Sequence, residues 1–197
     1  MGLDQYLYLR KKAFTSKPNK DVMKALGADA SEGKLFESLA SYHKEAFSHK
    51  EEIKDGAADV CYEITATFEI GYWRKANEIH EYFLNAGKAP ADSNCEFVSV
   101  SIDDIKNLWT ICNDIVSHYN EHGMDKALQE KVEDVLPTRA GFFFGSTDYD
   151  EYYIEDLKQT MEICERVMAF WDKLEELDPD GSKDIKYSWD IAYYSWW

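Results

Sequence analysis

The chain has 197 residues, and its 38 Asp and Glu residues outnumber its 22 Lys and Arg residues, so the formal net charge is −16. Aromatic residues make up 15% of the chain, which excludes a disordered acidic tail, because such tails lack the apolar area that offsets the entropy lost on folding. The length fits one domain with a sizeable core. The negative charge argues against direct binding to nucleic acid or to an anionic membrane, since phosphate groups would be repelled.

The cellular compartment is predicted from what the sequence lacks. No apolar run approaches the roughly 20 residues of a membrane helix, and residues 1–12 lack the basic-then-apolar order of a signal peptide. The four cysteines, Cys61, Cys95, Cys112 and Cys164, form no CxxC pair, which is typical of reduced thiols rather than of a zinc site. We therefore expect a cytoplasmic protein without a metal or a cofactor.

The first half of the chain changes from strand spacing to helix spacing. A short strand is predicted at Leu3–Leu9, and residues 15–56 are predicted to be a peripheral helical insertion, because they combine glycine, proline and lysine with weak periodicity. Strict alternation over Val60–Ile70 predicts a half-buried strand. After Gly71, three- and four-residue spacings predict a short helix that ends near Gly87.

The second half is predicted to be mainly helical and to end in a strand. A strand at Glu96–Val100 precedes a capping box at Ser101 and Asp104, which begins a helix that Gly123 ends. The further predicted elements are a helix at Lys126–Val135, a structured loop or short strand at Thr138–Asp150, a helix at Asp150–Leu177 and a strand at Ile185–Tyr193. Together they predict an α+β fold in one domain of residues 1–197, with helices packed on a small, mainly antiparallel sheet.

One segment, Gly71–His80, places two cations, an amide and an imidazole at a predicted helix start. The free backbone N–H groups of a helix N-terminus, together with Arg74 and Lys75, would suit an anion such as a phosphate or a carboxylate. The alternative is that these cations are solvated or pair with Glu63 and Glu78, while the aromatic residues and the histidine fill the core.

A second segment, Leu136–Tyr153, is rich in glycine, phenylalanine and tyrosine. The consecutive residues 142–144 are all phenylalanine and cannot share one side of a regular element, so we expect at least one in a second cluster or at a surface that a partner covers. The alternative role of the segment is structural, with Ser146, Thr147 or Asp148 capping the long helix.

Two sets of candidate residues follow from these segments. A small-ligand pocket would be formed by Tyr72, Trp73, Arg74, Lys75, Asn77, His80, Phe143, Ser146, Tyr149 and Tyr152. A partner-binding surface would be formed by Asp148, Asp150, Glu151, Glu155 and Asp156. His118 and His122 have metal-ligand spacing but no evident third ligand, and no nucleotide-binding or nucleophile motif supports catalysis.

These segments also resemble a known group of proteins. The sequences of Met1–Tyr8, Tyr72–His80 and Leu136–Glu151 resemble an uncharacterised protein family from bacteriophages and prophage-bearing bacteria. The resemblance covers most of the chain from the second predicted strand onward, and it implies a phage setting without a defined activity. Arg139 and Ala140 stand where that group is expected to have polar residues, so no role is carried over to them.

The phage setting and the charge distribution together favour a binding function. Residues 1–50 carry a net charge of +3 and the remaining 147 residues carry −19. An acidic protein can occupy a basic nucleic-acid channel by presenting carboxylates in place of phosphates. We therefore predict a non-enzymatic inhibitor that binds a host protein, such as a defence or nucleic-acid-handling enzyme. The alternatives are a binding module for an anionic or nucleotide-like ligand, and a hydrolase or transferase that uses His80.

Overall fold

A computed structural model describes residues 2–15, 49–53, 61–182 and 185–197. In these residues the predicted α+β class is confirmed. The strands are β1 (Asp4–Thr15), β2 (His49–Ile53), β3 (Cys61–Arg74), β4 (Phe97–Val100) and β5 (Trp189–Trp196). The helices are α1 (Asn77–Ala86), α2 (Ile102–His122), α3 (Lys126–Val135) and α4 (Glu151–Leu177), and a 3₁₀ helix spans Lys186–Ser188. None of the described helices has the length and the apolar character that crossing a bilayer requires.

The strands form one sheet in the order β2-β3-β1-β5-β4. β2 runs antiparallel to β3, with His49 opposite Thr65, and β4 runs antiparallel to β5, with Phe97 opposite Tyr194. The C-terminal strand lies beside the first strand.

The contacts of the chain divide it into two compact units. Unit 1 contains Met1–Leu7, Ile70–Asp172 and Ile191–Trp197, and unit 2 contains Tyr8–Glu69 and Lys173–Asp190. Most of the predicted insertion at 15–56 lies outside the described residues. In its described part, Thr15 ends β1 and His49–Ile53 form a strand and not a helix.

The core of unit 1 is apolar and contains a buried polar contact between β3 and α4. The indole N–H of Trp73 donates to the hydroxyl of Thr160 at 2.8 Å, and that hydroxyl donates to the carbonyl of Asp156 at 2.7 Å. The largest fully buried side chains of this unit also include Leu3, Leu7, Ile79, Phe83, Ile105, Leu108, Ile115, Leu128 and Tyr193.

Local capping interactions set the start of two helices in unit 1. Asp104 N–H donates to Ser101 Oγ at 3.1 Å, and Ser101 N–H donates to Asp104 Oδ2 at 2.8 Å, which forms the predicted capping box of α2. Gly123 follows α2 with a φ of 70°, a conformation that glycine adopts without strain. Asp125 accepts from Leu128 N–H at 2.8 Å and begins α3.

The junction between β3 and α1 differs from its prediction. The strand continues through Gly71 to Arg74, and the helix begins only at Asn77. The glycine serves close packing, because a Cβ at this position would lie 2.5 Å from Cγ2 of Ile163. The turn falls at Lys75, whose φ is 65°.

Unit 2 pairs the cations of β1 with residues near the end of the chain. Both guanidinium contacts of Arg10 with the Asp190 carboxylate are short, at 2.8 and 2.6 Å. The Lys11 ammonium donates to Ser188 Oγ at 2.7 Å and lies 5.5 Å from the Trp189 ring centre. The basic character of β1 is therefore partly neutralised within its own unit.

The contact between Trp73 and Thr160 gives a stability prediction. Replacing Thr160 by Val should lower the free energy of unfolding by about 1–3 kcal/mol, because the buried indole N–H loses its acceptor. Thr110→Val is the matched control, since the exposed Thr110 hydroxyl also donates to a carbonyl one turn earlier, that of Lys106, at 2.9 Å. Urea unfolding of both variants measures the difference. Equal losses would contradict the assigned role.

Candidate functional site

The two segments that stand out in the sequence meet in unit 1. Asn77 is 2% exposed, and its amide nitrogen donates to the carbonyls of Phe144 at 3.1 Å and Ser146 at 2.7 Å. Its amide oxygen accepts from Arg139 N–H at 2.6 Å. One side chain at the start of α1 therefore fixes both ends of the loop that spans residues 139–146.

The loop holds its three phenylalanines in different environments. Phe144 is buried, and the carbonyl of Phe143 accepts from Leu3 N–H at 2.9 Å. Phe142 is 95% exposed and contacts only the edge of the Phe143 ring among the described aromatic contacts, with ring centres 4.9 Å apart. The three side chains do not share one side, as the sequence indicated, and one of them projects into solvent.

Arg139 connects this loop to the far side of α1. Its guanidinium donates to Glu81 at 2.7 Å and to the carbonyl of Ala91 at 2.6 Å, and it lies 5.5 Å from the ring centre of Phe144. Sequence reasoning assigned no role to this residue, because nothing in the local pattern shows that the loop folds back over α1.

His80 is a buried core residue. Its ring meets the rings of Phe144 and Trp197 edge-on, at 5.2 and 5.1 Å between centres. The Tyr193 hydroxyl donates to Gln5 at 3.0 Å, and its oxygen forms a second hydrogen bond with His80 Nδ1 at 2.8 Å. Burial lowers the pKa of His80 to about 4. The imidazole is therefore neutral at pH 7 and has no solvent access.

The other residues predicted to bind a ligand are spread over several environments. The Tyr72 hydroxyl donates to Asp4 at 2.6 Å, and this hydrogen bond raises the pKa of Tyr72 to about 12. Trp73 is buried in the core. Exposed or half-buried positions are occupied by Arg74, Lys75, Phe143, Ser146, Tyr149 and Tyr152. A shared ligand pocket for this set stays a prediction.

The cap of the long helix is supplied by Asp150. Its carboxylate accepts from the N–H groups of Tyr152 at 2.9 Å and Tyr153 at 3.2 Å. The sequence proposed Ser146, Thr147 or Asp148, but α4 begins at Glu151, so only the residue directly before it is placed to cap. The Ser146 hydroxyl instead accepts from Asp148 N–H at 3.0 Å.

The predicted partner-binding acids separate into two groups. Asp150 is occupied as a cap, and Asp156 is half-buried, which is the main cause that raises its pKa to about 6. The acids that remain exposed around the start of α4 are Asp148, Glu151 and Glu155. Binding of a partner by these residues stays a prediction.

A cavity of about 320 Å³ lies between α1, α2 and the end of α3, and its lining includes Glu78, Tyr82, Asn107 and Leu136. Glu78 is 2% exposed, and its Oε1 atom has no hydrogen-bond partner among the described residues. Burial, followed by the negative charge of Asp156, raises the pKa of Glu78 to about 8. Glu78 is therefore mostly protonated at pH 7.

Sequence reasoning missed this acid as a site residue. It treated Glu78 only as a pairing partner for Arg74 or Lys75, but no ion pair of Glu78 is found among the described residues. The residues next to Glu78 in the sequence do not signal that its carboxyl group is buried, because this burial depends on α2 and α4.

Potential metal ligands are dispersed. The described residues include no group of three or more His, Cys, Asp or Glu side chains placed to hold a metal ion. His118 and His122 have ring centres 5.0 Å apart, and His118 Nε2 lies 3.1 Å from the Asp125 cap. Cys112 and Cys164 are buried, and burial raises the pKa of both thiols.

The loop attachment gives a second prediction. Replacing Asn77 by Ala should lower the free energy of unfolding by about 2–3 kcal/mol, because three hydrogen bonds at a buried side chain are lost. The control is Asn120→Ala, at an exposed position of α2, which should change it by less than about 0.5 kcal/mol. Urea unfolding with limited proteolysis measures both. An unchanged loop in the Asn77 variant would contradict the attachment.

The protonated state of Glu78 gives a pH prediction. Because folding raises the Glu78 pKa from 4.5 to about 8, the folded protein binds more protons than the unfolded chain between these values. The stability of the wild-type protein therefore falls relative to Glu78→Gln as the pH rises through this window. Thermal unfolding of the two proteins across the window measures the difference. A difference that does not change with pH would contradict a raised pKa of Glu78.

Comparison with known proteins identifies no relative: no family model, no curated protein and no solved structure matches the chain. The resemblance of the segments Tyr72–His80 and Leu136–Glu151 to bacteriophage proteins therefore stays a prediction. The functional proposal depends on the contacts and exposure of unit 1 itself.

Proposed function

We propose that the protein is a non-enzymatic binding protein of the bacteriophage type, which acts in the cytoplasm of a bacterial host by engaging a basic host protein. Its binding face, called here the aromatic-acidic face, consists of Phe142, Tyr152, Asp148, Glu151 and Glu155. The observation that carries the proposal is the 95% exposure of Phe142 on a loop whose ends are fixed.

The exposure of Phe142 has a cost that folding does not recover. Burying a phenylalanine side chain would contribute roughly 1.5–3 kcal/mol, yet this ring stays in water. The neighbouring Phe144 is buried, and the carbonyl of Phe143 is bonded to Leu3, so the loop is held with Phe142 outward. An aromatic side chain presented on a fixed loop loses little entropy on binding, which favours its use as an interface anchor.

The exposed acids that follow Phe142 in the chain specify the proposed chemistry of the partner. Asp148, Glu151 and Glu155 are exposed, and no ion pair occupies them among the described residues. Tyr152, in the first turn of α4, is 74% exposed. A complementary surface would hold an apolar pocket with a cationic rim. Nucleic-acid-binding proteins present cationic surfaces of this kind, which supports a host protein of that class as the partner.

A second candidate function is supported by two exposed cations. Arg74 and Lys75 have no ion pair among the described residues, and Lys75 lies beside the loop, since its Cβ would be 3.1 Å from a Cβ built on Gly145. These cations would suit an anionic ligand such as a nucleotide. Thermal shift with a nucleotide panel tests this function, and an equal response of the wild type and Arg74→Ala would contradict it.

The binding function is tested with purified variants. The wild type, immobilised, is used to capture proteins from a bacterial lysate, and the affinity of the captured protein is then measured at two salt concentrations. Phe142→Ala should weaken the affinity by about tenfold or more without changing the melting temperature. Tyr187→Ala is the matched control, because Tyr187 is also exposed, at 76%, but belongs to unit 2.

Charge removal completes this test. Combined neutralisation of Asp148, Glu151 and Glu155 to their amides should weaken binding at low salt more than at high salt, because salt screens exposed charges. A captured protein that binds the Phe142 and Tyr187 variants equally, or whose binding ignores salt, would contradict the proposed face.

A further inference from the structure

The cavity beside α1 is a candidate binding site separate from the aromatic-acidic face. Its polar lining comprises the carboxyl groups of Glu78, Glu81 and Asp104, the amides of Asn85 and Asn107, and the phenol of Tyr82. Among the described residues, no Lys, Arg or His side chain lines it. Its volume of about 320 Å³ is at the lower end of the range for small-molecule sites.

Most polar groups in this lining already have partners. Glu81 receives the Arg139 guanidinium at 2.7 Å, and Asp104 Oδ2 accepts from Ser101 N–H at 2.8 Å. The hydroxyl of Tyr82 donates to the Asp104 carbonyl at 2.7 Å. These contacts give the walls a fixed geometry before any ligand enters.

Glu78 is the exception. It lines the cavity, is 2% exposed, and has a carboxyl oxygen without a hydrogen-bond partner among the described residues. Buried polar atoms are normally hydrogen-bonded, so an unsatisfied oxygen on a residue that lines a cavity leaves an interaction for a ligand to supply. An oxygen of a carboxyl group can accept a hydrogen bond or, when ionised, form an ion pair.

The groups around Glu78 determine whether that ligand is a cation or an anion. The groups that interact electrostatically with Glu78 are Asp156 and Tyr153 of α4, Cys112 of α2 and Tyr193 of β5. Glu81, Tyr82 and Asp104 line the same cavity. All of them are neutral or negative. The cation Arg139, which contacts the lining residue Glu81, is paired with that residue. The surroundings therefore repel an anion and attract a cation.

We propose that this cavity binds the ammonium group of a small organic cation, such as an aliphatic amine or diamine, and that Glu78 is the residue that pairs with it. At pH 7 the entering ammonium ion displaces the carboxyl proton of Glu78 to the solvent. The product is an ammonium–carboxylate ion pair, and one proton is released for each amine bound. No covalent bond is formed or broken in the ligand.

Calorimetry with 1,4-diaminobutane as the probe tests this site. Titrations at pH 7 in two buffers of different ionisation enthalpy should show release of about one proton per ligand, because Glu78 is mostly protonated before binding. Above the pKa of Glu78, near 8, the release should disappear and the affinity should rise. Absence of binding, or binding without proton release at pH 7, would overturn the proposal.

Variants identify the site. Glu78→Gln should lower the affinity for the diamine by about tenfold or more and abolish proton release. Glu133→Gln, at an exposed position of α3, should bind the diamine like the wild type. Asn85→Trp at the exposed rim should block entry and gives an independent result if the Glu78 variant folds poorly. Unchanged binding by both site variants, or equal binding of acetate by the wild type, would overturn the proposal.

Discussion

The carboxamide of Asn77 is the contact on which the candidate sites of unit 1 depend. It uses both its donor hydrogens and its oxygen to hold residues 139–146 against the start of α1. With the loop fixed in this way, Phe144 is directed inward against His80 and Arg139 reaches Glu81. A single amide therefore links the position of the loop to the position of the helix.

Two parts of unit 1 are proposed to have opposite chemical use. The fixed loop presents the aromatic ring of Phe142 to solvent, and exposed acids lie at the start of α4. Glu78 lines a cavity beside α1, where burial keeps the carboxyl group protonated at neutral pH. We propose a large basic partner for the first and a small cation for the second.

Much of the fold could be predicted from the sequence, because its signals are local. The capping box of Ser101 and Asp104 is encoded within four residues, and α2 begins where it predicts. The prediction that the strand ends at Gly71 was wrong, because glycine is needed at this position for close packing against Ile163, which is distant in the sequence. Glu78 was overlooked because its burial is created by helices far along the chain. The candidate sites depend on such tertiary contacts, which the hydrophobic periodicity of the sequence does not predict.

The central claim is that the loop is held rigidly and presents Phe142 in one arrangement. Hydrogen exchange of the Arg139 amide, followed by NMR, tests it most directly, since this N–H donates to Asn77. We predict that it exchanges as slowly as the His80 amide, which is bonded to the carbonyl of Ala76 inside α1. Exchange of the Arg139 amide at the rate of an unstructured peptide would contradict the account.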